Sequence, residues 1–178
     1  MKKYFPAIFF FLNGCIGHAQ SKAGITNKSD TSYSLYTAYS GTIKTHPQTK
    51  IVNELKPATV AEERNLVYCT QGNSKLLTDV FYPKEKAATK RTAIIIVHGG
   101  GWRSGNKTFH HSMAQRLAAL GYVCFTPEYR LSTEALYPAA VFDIKSVIRW
   151  VRKNAAKYNL DDSKISVAGH SAGGELAA

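Results

Sequence analysis

Between residues 66 and 178 the apolar positions switch repeatedly between short continuous runs and three- and four-residue spacing, which predicts alternating strands and helices. Leu66–Thr70 and Leu76–Tyr82 are apolar runs around Gln71-Gly72-Asn73-Ser74. Gly72 and Asn73 tolerate positive φ, so an antiparallel hairpin is expected. Thr92–His98 contains Ile94-Ile95-Ile96-Val97 without polar alternation, the pattern of a strand buried on both faces, and is expected to be central in its sheet. Met113, Leu117 and Leu120 share one face of a helix running from Phe109 to Leu120 and stopped at Gly121, with a strand over Tyr122–Thr126 after it. A longer helix opens at Pro138 and carries Val141, Ile144, Val147, Ile148 and Val151 on one stripe to about Lys157. Lys164–Ala168 is another short buried strand, and the residues after Ser171 suit a helix. The alternation implies an α/β layer structure with right-handed crossovers. No such period is sustained over residues 20–50, which read as a loosely packed leader without chemistry, and Pro57 interrupts a short helix over 51–63.

The amino terminus changes the picture of where the protein works. Lys2 and Lys3 precede an apolar stretch centred on Ile8–Leu12, and Gly17-His18-Ala19 supplies a small-x-small site, the pattern of an export signal over residues 1–19. The stretch is shorter than the roughly 20 residues that span a bilayer, so no membrane span is expected. A competing reading takes Leu12-Asn13-Gly14-Cys15 as a lipobox with a lipid anchor at Cys15. Cys69 and Cys124 then remain; both sit in strand-like runs and are expected to be two buried thiols without a disulfide. A formal charge of +11, reduced to +9 without Lys2 and Lys3, raises nucleic acid as a partner. The basic residues are scattered rather than interleaved with aromatics, so a solvated surface without nucleic-acid binding is expected.

Two glycine motifs carry chemistry. Gly169-His170-Ser171-Ala172-Gly173 follows a buried strand and precedes a helix, the setting in which a sharp turn projects a serine from the sheet edge, with Gly169 and Gly173 leaving room for close backbone. His98-Gly99-Gly100-Gly101-Trp102 ends the central strand, and its amides at Gly100 and Gly101, with that of Ala172, could stabilise an oxyanion. No G-x-G-x-x-G or P-loop is present, and neither a cofactor nor a metal site is expected.

With Leu77–Pro83, Pro127–Leu131 and Pro138-Ala139-Ala140 plus Asp143, these motifs run in one order over residues 64–178, and the chain resembles the HGGGW-bearing, carbohydrate-esterase-like α/β-hydrolases. The resemblance implies an α/β-hydrolase fold, mostly parallel with an N-terminal antiparallel hairpin, and carboxylic ester hydrolysis on small-molecule or polysaccharide esters such as acetyl or feruloyl groups. It makes Ser171 the nucleophile and Gly100, Gly101 and Ala172 the oxyanion donors. His98, Gly99, Trp102, Gly169 and Gly173, with Tyr129–Leu131, support them. Asp143 is expected to be structural, and Glu175 stands where the family commonly has Asn or His.

In this fold the acid and histidine follow the serine, and none of the seven residues after Ser171 is a histidine. His170 is expected to point away from Ser171, and the His110-His111 pair to lie on the surface. Residues 66–178 are also few against the roughly 200–250 of a single α/β unit, so the chain reads as the N-terminal part of a longer protein, cut after the elbow. Two rivals stand beside the esterase: a non-catalytic remnant, and an amidase or peptidase with the same nucleophile.

Overall fold

The computed structural model describes residues 24–28, 30–72 and 74–178. The expected export signal, Cys15 and Asn73 lie outside them. Five strands form one sheet: β1 (Val60–Gln71), β2 (Ser74–Pro83), β3 (Arg91–Val97), β4 (Val123–Pro127) and β5 (Leu160–Gly169), in spatial order β1-β2-β4-β3-β5. β1 and β2 pair antiparallel from Val60↔Pro83 to Gln71↔Ser74, the expected hairpin, with Gly72 at φ 57° in the turn. β2 also pairs antiparallel with β4, whereas β3 pairs parallel with both β4 and β5, so β2 alone runs against the other four strands.

The helices divide between the two faces. α2 (His111–Ala119) buries Ala114 and Ala118 against Val60, Phe81, Ile96 and Cys124. α3 (Ala139–Lys153) buries Ile144, Val147 and Val151 against Val80, Ala93, Ile95, Val97, Val123 and Phe125. Successive residues of β3 thus feed opposite cores, which is why its isoleucine run shows no polar alternation. Chain order fixes the consequence: β3 is followed by α2 and a strand on one side, while the next crossover, through α3, returns to its other side. The C-terminal ends of β3 and β5 therefore abut where the winding reverses, with Val97 opposite Gly169, and such a switch point is where ligands bind in open α/β sheets.

Several boundaries differ from expectation. The helix expected over 51–63 is absent: 51–57 is irregular, with Lys56 at φ 42°, and β1 starts six residues earlier than its apolar run. A helix instead forms in the leader, α1 (Leu35–Thr42), where the Ser34 side chain accepts the Thr37 N–H (3.1 Å) and Thr37 Oγ1 accepts the Ser34 N–H (2.8 Å), a reciprocal cap. The Phe109 helix starts later as α2, behind a 3₁₀ turn over Lys107–His110 capped by Asn106. α3 ends at Lys153 rather than near Lys157, because Asn154 closes it by donating Nδ2–H to the Trp150 carbonyl (2.8 Å). Both cysteines are free, but only Cys124 is buried; Cys69 is half-exposed. β2 stands between their strands, which sets β1 and β4 two spacings apart, about 9.6 Å and too far for a bridge.

Candidate active site

The turn after β5 is built on three backbone approaches. Ser171 sits at φ 54°, ψ −125° between β5 and α4 (Ala172–Ala177), a conformation that side-chain-bearing residues rarely adopt, and its hydroxyl makes no capping bond to α4. The turn is closed by Gly173 N–H to the His170 carbonyl (3.0 Å) and Gly174 N–H to that of Ser171 (2.7 Å). At Gly173 a Cβ would collide with the carbonyls of Val97 and His98, and at Gly169 with that of Gly173 itself. The two glycines let the start of α4 lie directly on the end of β3, which exposes Ser171 at the sheet edge.

The loop after β3 meets this turn. A Cβ on Gly99 would lie 2.6 Å from the His170 carbonyl oxygen and 3.2 Å from Ser171 Cβ. Gly100 adopts φ 128°. Its carbonyl accepts from Ser104 Oγ (2.8 Å), Ser104 N (3.0 Å) and Arg103 N (3.2 Å). A trans peptide directs C=O and the following N–H oppositely, so three donors holding the Gly100 carbonyl turn the Gly101 N–H away from them. Among the described residues, the amides of Gly100 and Gly101 donate to no backbone acceptor. Ala172 opens α4, where N–H groups lack intrahelical partners. Trp102 follows at φ 58°, partly exposed, its carbonyl accepting from Ser132 N–H (2.7 Å).

Beneath the loop His98 is a buried anchor. Its ring stacks on Tyr129 (4.4 Å between centroids), Nδ1–H donates to the Gly99 carbonyl (2.8 Å), and the Tyr129 hydroxyl donates to the His98 carbonyl (3.0 Å). Burial lowers its pKa to about 4, so the ring is neutral at physiological pH. Asp143 is structural in its contacts: wholly buried, it accepts from Arg130 Nη2 (2.7 Å), Nε (2.9 Å) and the Arg130 amide (3.0 Å).

His170 and Ser171 line one cavity, and a Cβ at Gly99 would meet both the His170 carbonyl oxygen and its ring. Two placements correct the sequence reading. The His110-His111 pair is not a surface pair. His111 is buried, with Nε2 2.8 Å from Asp79 Oδ2 and Nδ1 2.8 Å from Glu54 Oε1, and the buried Nε2 of His110 has no partner among the described residues. Burial first, then the nearby His170 and His111, lowers the His110 pKa. The leader, expected to carry no chemistry, reaches the site. Asp30, Ser32 and Tyr33 line, with Gly100, Gly101 and Ser171, a cavity of about 350 Å³. A second depression of about 430 Å³ shares Gly101 and Arg103 with it and is lined by apolar groups including Trp102, Val141 and Leu176.

A buried charge network supports the loop from behind. Lys107 Nζ spends its three donors on Asp79 Oδ1 (2.9 Å), Asp79 Oδ2 (2.8 Å) and Asn65 Oδ1 (2.8 Å), and the Asn65 N–H, in a bulge at φ 60°, donates to Asp79 Oδ1 (2.7 Å). Burial pushes the Asp79 carboxyl up, but the bonds from His111, Lys107 and Asn65 outweigh it and hold the pKa down at about 2. The one signal in the sequence was an aspartate inside an apolar strand, since a buried charge requires a partner.

The BD-FAE family model matches residues 78–178, a span that includes both glycine motifs. The carboxylesterase NlhH of Mycobacterium tuberculosis is 36% identical over 133 residues, covering 74% of this chain and 40% of that protein. The arylacetamide deacetylase of Oryctolagus cuniculus is 27% identical over 156 residues, 85% of this chain and 39% of its own length. Among solved structures, the propionate-bound thermophilic esterase Est2 of Thermogutta terrifontis superposes with a TM-score of 0.60 at 35% identity, over 68% of this chain and 45% of that one. The chain thus spans less than half the length of these relatives. The mixed sheet with helices on both faces is that of an α/β-hydrolase.

Proposed function

The chain belongs to the BD-FAE family, and from that premise we propose that it carries the nucleophile and oxyanion hole of a carboxylic ester hydrolase. The observation that carries the reading is the strained, exposed Ser171 beside a glycine loop whose Gly100 and Gly101 amides donate to no backbone acceptor among the described residues. Ser171 Oγ attacks the ester carbonyl and loses its proton to a base. The amides of Gly100, Gly101 and Ala172 stabilise the tetrahedral oxyanion, the alcohol departs with a proton, and water releases the acid from the acyl-serine. The base is not among the imidazoles already committed: His98 bonds Gly99, and His111 faces Asp79 and Glu54. Export through residues 1–19 is part of the same proposal, with acetyl or feruloyl groups on carbohydrate as substrates.

The test is turnover of 4-nitrophenyl acetate by the intact protein. Ser171→Ala is expected to lower kcat by about 10⁴-fold or more, and a fluorophosphonate to label wild type but not the variant. Equal turnover by both would overturn the reading. Similarity to an arylacetamide deacetylase favours a second one, amide hydrolysis at the same serine. A higher kcat/KM on 4-nitroacetanilide than on 4-nitrophenyl acetate would select it.

A further inference from the structure

We propose that the leader segment Asp30–Tyr33 is the specificity-determining wall of the Ser171 chamber, with the Asp30 carboxylate selecting esters whose alcohol part carries free hydroxyl groups. The inference rests on Ser171 being the nucleophile.

The segment is held against the chamber by bonds on both sides of Asp30. The Thr26 and Asn27 amides both donate to the Thr133 carbonyl (2.9 Å each), Asp30 N–H donates to the Arg103 carbonyl (3.2 Å), and the Tyr33 ring meets Phe109 edge-on at 5.8 Å. Arg103 belongs to the same loop as Gly100 and Gly101, so the leader is tied to the loop that would hold the oxyanion. Asp30 Oδ1 accepts the Ser32 N–H (2.9 Å), and Oδ2 lies 3.5 Å from Arg103 Nε. These bonds lower its pKa and so favour the carboxylate form. A carboxylate has about four acceptor sites; two are used, and the rest can take hydroxyl donors. A cavity of about 350 Å³ is at the low end of ligand pockets and suits one group the size of a sugar ring. An aryl alcohol offers no donor to Asp30. A polyol bonded to it gains binding that a carboxamide, lacking the charge, reproduces only in part.

The experiment holds the acyl group constant and varies the alcohol: kcat/KM of the intact protein on an O-acetylated methyl xyloside and on 4-nitrophenyl acetate. Asp30→Asn keeps the shape and the acceptor for Ser32. It is expected to lower the ratio of the two kcat/KM values about tenfold, and Asp30→Ala to lower it at least as far. An unchanged or increased ratio overturns the inference and leaves the Ser171 reading standing. Wild type that hydrolyses neither ester overturns that reading instead. Calorimetric binding of the acetylated xyloside to Ser171→Ala protein tests Asp30 without turnover: adding Asp30→Asn is expected to weaken binding about tenfold, and equal affinity overturns the role of Asp30. Unchanged circular dichroism and proteolysis of residues 24–33 would separate lost recognition from a detached segment.

Discussion

Replacing Ser171 by glycine should make the protein more stable, although almost every core or turn substitution to glycine does the reverse. At φ 54°, ψ −125° the residue occupies the first central position of a type II′ turn, where a Cβ is crowded by its own backbone. Conformations of that kind cost on the order of 1–3 kcal/mol for a non-glycine residue. Glycine removes this cost but adds unfolded-state entropy of about 0.4–1 kcal/mol, which leaves a net gain of up to about 2.6 kcal/mol and about 1.3 kcal/mol at mid-range. Ser171→Ala is the control: it removes the hydroxyl, keeps the Cβ and the strain, and should be close to wild type. The assay is urea unfolding followed by fluorescence, with Trp150 packed on Phe125 as reporter. At slopes of about 1–3 kcal/mol/M, the glycine variant should have a midpoint higher than that of alanine by a few tenths of a molar or more. At an ordinary site alanine is the more stable of the two, so the sign alone decides. A glycine variant no more stable than alanine would show that the turn stores no strain and would remove the physical argument for an elbow here.

Gly173→Ala forces a methyl against the carbonyls of Val97 and His98, neither of which can rotate away; a loss of about 1–3 kcal/mol is expected in the same assay, with a larger proportional loss of ester turnover. Lys107→Met leaves Asp79 buried without its main cation, and should cost about 3–5 kcal/mol, most of it recovered by adding Asp79→Asn. Because Asp79 titrates at about 2 when folded against about 3.9 when unfolded, its contribution is present above pH 4 and lost as pH falls toward 2; Asp79→Asn should flatten that limb of an acid-unfolding curve. His98, at about 4 when folded against 6.5 unfolded, acts in a higher window: the unfolded chain takes up a proton first, so stability falls from pH 6.5 toward 4, by about 2 kcal/mol at pH 5. Urea midpoints at pH 7 and 5 that do not differ between wild type and His98→Phe would refute that assignment.

The parts of the fold legible in the sequence are those fixed by neighbouring residues. The isoleucine run of β3, the hairpin at Gly72 and the stripe of α3 each state their environment within one segment, because strand and helix periods are local. That β2 lies beside β4, and so separates Cys69 from Cys124, is a pairing of distant segments with no local signature. The site divides in the same way. The two glycine motifs announce where backbone must pass close to backbone, and the structure brings them together at β3 and β5.

The leader and the histidine pair were misread for one shared reason: polar composition was taken as exposure. Asp30 and His111 each meet a charged partner across more than fifty residues of chain, Arg103 and Glu54 respectively, and no short window of sequence contains both members. Glu54 itself is joined to Arg64 and His111, which fastens the irregular stretch before β1 onto β1 and α2, while the Leu55 amide donates to the buried Gln115 (2.7 Å). Charge therefore ties residues 24–57 to the rest of the fold at two points, Asp30 and Glu54. A fixed leader can shape a chamber, whereas the solvated tail that its composition suggested could not.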